Sequence, residues 1–336
     1  MPFNSADSKE KPLRTLHPMK SILLVLALAC LPATGFSQAY PSKPVRVIVP
    51  FPPAGATDLV ARIVADHLSK TWGQAVVVEN RSGASGMLGT EVAAKSASDG
   101  YTILLGTLAT NVMAYLLYSK VPYAQDAFAP VILLTTTPNM LLANSNVPVS
   151  TLSELVAYAK ARPGKLSYAS AGIGLSSHVG TELFAQSAGL QLLHVPYRGS
   201  APSGQAFAAG QVDLVLGLVT ESLQAMQTAG VKPIAIAAAK RAKSFPNVPT
   251  FPELGYDNVQ VYALNGLMVP GGTPRDIIER IHRDSNAALN TPANRERIDK
   301  LGLDIVGGSP EEFGEHLKRE RDRWTPVIKR ANIRAD

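Results

Sequence analysis

The chain has 336 residues, 46% of them hydrophobic and 17% charged, a balance that excludes a disordered chain or an integral membrane protein and predicts about two domains. Of its formal net charge of +6, the first 39 residues supply four basic and two acidic side chains, and the remainder is thinly spread. No Lys/Arg run with interleaved aromatics precedes the C-terminal segment, so nucleic acid is not an expected partner.

Residues 1–39 read as a short extension followed by a cleaved secretory signal: Lys20, an apolar run over 22–31, then Ser37-Gln38-Ala39 with small residues where a signal peptidase cuts. Met19 is the better start on this reading, because the polar first eighteen residues are unusual ahead of a signal. The apolar run is too short for a membrane span, which needs about 20 such residues. Cys30 is the only cysteine and lies inside the signal. A mature chain from Tyr40 therefore offers no disulfide, thiolate nucleophile or cysteine metal site.

The mature chain opens on V-R-V-I-V-P-F-P-P-A-G-A-T-D at 45–58. Val45, Val47, Ile48 and Val49 predict a strand buried on both faces, and the prolines at 50, 52 and 53 end it. Gly55, between the small Ala54 and Ala56, leaves backbone N–H groups uncovered. Thr57 or Asp58 is the expected cap of a helix with Leu59, Val60, Ile63, Val64 and Leu68 on one face. Free N–H groups at a helix N-terminus, at the carboxyl end of a strand, suit an anion. A strand over 75–79, a loop with Gly83, Gly86 and Gly89, a helix over 90–97 and a strand over 101–105 ending in G-T-L-A-T-N complete a doubly wound α/β unit.

Residues 130–143 are too long and apolar for a loop and are expected to carry the chain to a second lobe. There the pattern repeats: helix 150–161, strand 166–169, a glycine-bearing turn over 170–178, helix 179–188, strand 192–196, helix 202–209 and strand 212–216. Residues 234–238 read as a strand and return crossing, 245–252 as an extended surface segment, and 264–269 as a further strand. A helix over 275–289 and an amphipathic tail helix over 311–331, with Phe313, Leu317, Trp324 and Ile328 on one side, close the chain.

Catalytic signatures fail on inspection. Tyr168-Ala169-Ser170-Ala171-Gly172 resembles a nucleophile elbow, with His178 or His194 as base and Asp213 as orienter, but Tyr stands where the first Gly is required. Gly172-x-Gly174-x-x-Ser177 misses the last position of a dinucleotide fingerprint, so no cofactor is expected. No two of the six histidines are spaced i, i+3 or i+4, and no metal site is expected. What remains is two turns rich in N–H groups and small hydroxyls, nearly free of charged side chains, which suits binding without chemistry.

Ordered matches across 40–336, among them Y-P-S-K-P-V-R-V-I-V-P-F-P-P (40–53), G-A-T-D (55–58), V-V-V-E-N-R (76–81), D-G-Y-T (99–102), P-G-K-L-S-Y-A-S-A-G (163–172) and H-V-P-Y-R-G-S-A-P (194–202), resemble the tripartite tricarboxylate transporter substrate-binding proteins, or Bug family. The resemblance implies a periplasmic, monomeric, two-lobed clamshell of the type II binding-protein class, each lobe a doubly wound sheet flanked by helices, that passes a small carboxylate to membrane permease subunits. The expected lobes are 40–142 with 239–336, and 143–238. Carried over by position, the ligand lies between the turn Pro53, Ala54, Gly55, Ala56, Thr57, Asp58 and the turn that includes Ser170, Ala171, Gly172, Ser176, Ser177 and His178. Thr107, Asn111, Tyr197, Val219 and Thr220 supply further wall. Ala54 and Ser85 depart from positions where the family often has glycine. A secreted serine hydrolase using Ser170 and a ligand-binding sensor are the alternatives.

Overall fold

The run Val45–Val49 forms β1, buried except at Arg46, between two parallel neighbours, β2 (Val76–Asn80) and β3 (Thr102–Thr107). In this computed structural model residues 40–226 and 230–335 are described, besides residue 1; the expected signal peptide lies outside the described residues. Parallel strands need crossover helices, here α1 (Ala56–Trp72) and α2 (Met87–Ala94). They cover opposite faces: Val60, Ile63, Val64 and Leu68 of α1 pack with Val45, Val47 and Val49, whereas Met87 and Ala93 of α2 pack with Ile48 and Leu104.

After β3 the chain makes a π-helical turn (Ala109–Met113) and a short helix, α3 (Ala114–Leu117), where the sequence pattern shows only a loop. It then enters β4 (Phe128–Asn144), one strand of 17 residues. Its first part pairs antiparallel with β9 (Tyr262–Pro270), and its end pairs with β7 (Leu214–Leu218) and β8 (Val231–Ile236). This is the expected crossing, built as a shared strand.

The second half repeats the first. Helix α4 (Leu152–Lys160) starts on a capping box between Thr151 and Glu154. β5 (Ser167–Ser170), β6 (Leu193–Pro196) and β7 run parallel, linked by α5 (Ser176–Ala188) and α6 (Ser200–Ala208). The whole sheet runs β2-β1-β3-β9-β4-β7-β5-β6. Each half thus places its leading strand between the second and third of its βαβ units, the arrangement that sets a crevice at the carboxyl ends.

Helix α7 (Val219–Ala225) follows β7 directly. Helices α8 (Arg275–Asn290) and α9 (Pro292–Lys300), strand β10 (Asp304–Gly307) and helix α10 (Pro310–Ala331) close the chain. The polar sequence of α9 and the shortness of α7 and β10 hid them from periodicity. The stretch 245–252, expected on the surface, is anchored instead: Phe251 is fully buried and Val248 nearly so. Phe251 and Tyr256 ring Phe184 of α5 at 5.1 and 5.9 Å between centroids. Residues up to about 260, which the expected boundary at 239 gives to the first lobe, therefore pack on the second half.

Three segments meet where the halves join. The Asn139 amide donates to Val261 O (3.0 Å), the Val261 amide to Ala237 O (2.8 Å), and the Ala237 amide to Asn139 O (2.8 Å). This closed ring of main-chain bonds holds the crossing segments together without side-chain help.

Candidate functional site

Strand directions decide where a ligand can sit. β1, β2 and β3 run parallel to β4, because both β3 and β4 are antiparallel to β9, whereas β5, β6 and β7 run against it. The carboxyl ends of the two halves therefore point at each other along β4. Thr107, the last residue of β3, lies level with Thr135 through Asn265, while Leu218, the last residue of β7, pairs with Asn139. Four residues at about 3.3 Å each offset the two ends by roughly 13 Å along the direction of β4, with β9 and β4 lying between them sideways. β1 and β5 stop further back, and their turns occupy the extra room.

The first turn is braced from beneath. Ala54 takes a left-handed conformation (φ 69°), and its amide donates to Asp58 Oδ2 at 3.0 Å. Arg62 Nε donates to the same oxygen at 2.9 Å, and Asn80 Nδ2 to Oδ1 at 2.9 Å. Burial alone would push the Asp58 carboxyl up, but the bonds from Arg62, Ala54 and Asn80 outweigh it and hold the group below the usual carboxylate range. Neither Thr57 nor Asp58 caps α1; Gly55 is its N-cap, with no side-chain bond. Among the described residues the N–H groups of Gly55, Ala56 and Thr57 have no protein partner, and Pro53, Ala54 and Gly55 are exposed. Asp58 itself is 2% exposed: it shapes the turn from below.

The second turn repeats the plan with neutral groups. Ser177 Oγ accepts from the Ala171 amide at 3.0 Å, and His178 Nδ1 from the Gly174 amide at 3.1 Å. Gly174 has φ 81° and faces Leu117 of α3 so closely that a Cβ would collide with it. The N–H groups of Gly172, Ile173 and Ser176 have no protein partner among the described residues. Beneath lie stacked rings: His178 on His194 at 4.0 Å and His194 on Tyr168 at 4.8 Å. Burial, and secondarily His194, pushes His178 down to about 3, and burial pushes His194 down to about 4. Both rings are neutral near pH 7.

Ser170 Oγ lies 2.6 Å from His194 Nε2, yet Ser170 is wholly buried, and Asp213 is engaged by the Ser167 amide and hydroxyl at 2.8 Å each. A nucleophile without access, with no carboxylate orienting its base, does not make the hydrolase arrangement. Asn111 Oδ1 accepts from the Thr107 amide (3.2 Å) and Thr110 Oγ1 (2.8 Å), bracing the end of β3. Tyr197 is half-buried, its amide bonded to Ser170 O. Val219 points away from the gap, packed at 1% exposure with Met140, Leu142 and Phe207, which leaves it only a main-chain role. Thr220 keeps a buried hydroxyl without a partner among the described residues.

Sequence reasoning missed Arg62 and Asn80 as braces, and also Glu221. This residue sits in the first turn of α7, just past the end of β7; its side chain is exposed by surface area, and nearby protein atoms raise its carboxyl even against bonds from Ser200 and the Leu218 amide. An acidic residue three positions past a strand end was the available signal. Two cavities formed by described residues, of about 780 and 460 Å³, lie elsewhere: one against α5 and α10, the other at the crossing. The turns border the gap between strand ends instead.

Residues 60–333 match the family described as "Tripartite tricarboxylate transporter family receptor". A relative from Pseudomonas sp. (strain P51), described as "UPF0065 protein in tcbD-tcbE intergenic region", is 37% identical over 322 residues, 94% of this chain and 96% of its own length. Protein BugT of Bordetella pertussis is 34% identical over 308 residues, 91% of this chain and 94% of BugT. An R. palustris protein solved with adipate superposes at a TM-score of 0.81 with 33% identity, covering 88% of this chain and 99% of that one. MatC from Rhodopseudomonas palustris with bound malate gives 0.77 and 34%, covering 86% and 100%. With the fold, the facing turns and these matches in agreement, the chain belongs to the tripartite tricarboxylate transporter receptor family, whose members are periplasmic solute-binding proteins.

Proposed function

We propose that the chain captures a small carboxylate between its two turns and releases it, chemically unchanged, to the membrane subunits of a tripartite transporter. The observation that carries this reading is the pair of turns at the facing carboxyl ends of the two halves, each with N–H groups that have no protein partner among the described residues. Two R. palustris relatives were solved with adipate and with malate, small carboxylates of the kind that paired helix N-termini suit. Holding an anion through helix N-termini avoids the desolvation cost of a buried ion pair, so release stays feasible.

The lobes we propose are the sheet half with β1–β3 and the half with β5–β8, hinged at the Asn139, Ala237 and Val261 ring, with residues up to about 260 moving with the second. Closure is favoured because only a closed state touches the ligand from both sides. Export by the segment 19–39, a monomeric state and no dealings with nucleic acid complete the proposal. Titration calorimetry against a panel of mono-, di- and tricarboxylates and amino acids tests it: one carboxylate should bind, and Ser176→Trp, which fills the second turn, should abolish that binding. Failure of every carboxylate in the panel would overturn the reading.

A further inference from the structure

The cavity of about 460 Å³ at the crossing has the size of a small-molecule site. Its floor is the crossing itself, with Pro138, Ala239 and Tyr262, the Tyr262 hydroxyl accepting from the Ala239 amide at 3.0 Å. Its walls come from different halves. Residues 240–244 form one wall and are anchored through Ala242 and Phe245 on the Met140, Leu142 and Ile236 cluster. The other wall holds Leu303, packed with the β1 and α1 cluster, and Asp304, whose strand pairs with Thr136.

The charges on these walls do not all cancel. Arg241 is satisfied by Glu253 at 2.9 and 3.1 Å and by Pro246 O. Lys243 reaches Asp299 on the opposite wall at 3.7 Å. Lys240 and the Asp304 carboxylate are left without an ionic or hydrogen-bonding partner among the described residues. On the Lys240 side, the main-chain N–H groups of residues 240–244 also have no protein partner among the described residues. Unpartnered N–H groups on the same wall as an exposed ammonium favour an anion, while the exposed carboxylate of the other wall repels a plain one and welcomes a donor.

We propose that this cavity is a second binding site, for a small carboxylate that also carries a hydroxyl or ammonium group, its carboxylate held by Lys240 and the 240–244 N–H groups and its donor end by Asp304. Because the walls belong to different halves, an occupant bridges the hinge, and its binding is linked to ligand affinity at the turns by the same factor in both directions. The site stands apart from the proposed cleft function, whose failure would not remove it.

The test is equilibrium dialysis of radiolabelled glycolate and glycine, with acetate as the probe lacking a donor, against the wild-type protein, Ser176→Trp, Lys240→Glu and the double variant. Ser176→Trp should retain one bound glycolate or glycine per chain, and adding Lys240→Glu should weaken that binding by about tenfold or more, the loss expected when a charge-assisted contact becomes repulsive. Acetate should bind more weakly than glycolate, and Asp304→Asn should narrow that difference. Should Ser176→Trp not fold, stoichiometry decides: the wild type should bind one more probe per chain than Lys240→Glu. Binding unchanged by Lys240→Glu, or no probe bound outside the cleft at millimolar concentration, overturns the proposal.

Discussion

Mild acid should destabilise this protein well before its carboxylates titrate, because two neutral imidazoles, one buried and one half-buried, lie under the second turn. His178 and His194 are held down to about 3 and about 4 in the fold, against about 6.5 in an unfolded chain. A depressed folded pKa for a histidine means that the unfolded state binds protons first. The stability is complete above the unfolded value and is lost as pH falls from there toward the folded values. Between about pH 7.5 and about pH 5.5 the unfolded imidazoles go from mostly neutral to mostly charged while the folded ones stay neutral, which costs about 1.4 kcal/mol per ring, or about 3 kcal/mol for the pair. Asp58, whose carboxyl is held low, loses its contribution only below about pH 4 and adds no slope here. His316, also pushed down by burial, acts in the same direction as the pair. Urea unfolding at the two pH values measures the difference. His194→Phe keeps a ring on Tyr168 and should lower stability at neutral pH, through loss of the Ser170 bond, while removing about half of the pair's pH slope. A stability that does not change over this window, or a slope that His194→Phe leaves intact, refutes the assignment of buried neutral rings.

Asp58→Ala removes the acceptor shared by Ala54, Arg62 and Asn80 and should cost about 3 kcal/mol in urea unfolding, with carboxylate binding lost in calorimetry even where the variant remains folded. Ala54→Gly relieves a left-handed alanine; the strain of about 1–2 kcal/mol less the added chain entropy of about 0.4–1 kcal/mol leaves a modest stabilisation, and a drop in the urea midpoint would contradict it. Glu221→Gln removes a carboxyl just past the end of β7 and should shift preference toward dianionic ligands by several-fold, read as a ratio of affinities for a dicarboxylate and its monoamide.

The turns were legible because their chemistry is local. A strand, a glycine-bearing turn and a helix in immediate succession dictate where free N–H groups appear, and the structure has this construction at both 50–56, where prolines also end the strand, and 171–177. What supports the turns was not legible. Asn80 meets Asp58 only because β2 lies beside β1 in register, whereas Arg62 stands one turn along the same helix and its contact was open to reading from spacing; the His178 and His194 stack depends on β6 pairing with β5 so that Tyr168 stands opposite His194. Phe251 was misread as a surface residue because its prolines signal extended chain, whereas its burial comes from Phe184 on a distant helix. Val219, carried over by position from the family resemblance, has its side chain packed in the core at 1% exposure, which a positional transfer does not reveal.

The segment T-T-T-P-N in β4 joins these observations. Its length between Thr135 and Asn139 sets the offset of the facing strand ends along β4, its Asn139 main chain completes the ring that ties the crossing segments, and its Pro138 lines the cavity at the crossing. It also keeps two buried polar atoms, Thr137 Oγ1 and Asn139 Oδ1, without partners among the described residues, where an unmade hydrogen bond costs about 1–3 kcal/mol. An apolar pair of the same shape would be cheaper in this arrangement alone. In the clamshell proposed above, a closed or open position in which these groups find partners would lower the energy difference between the two states. Ligand contacts worth a few kcal/mol then suffice to shift the balance, and a receptor that must both close on its cargo and let it go needs that small difference.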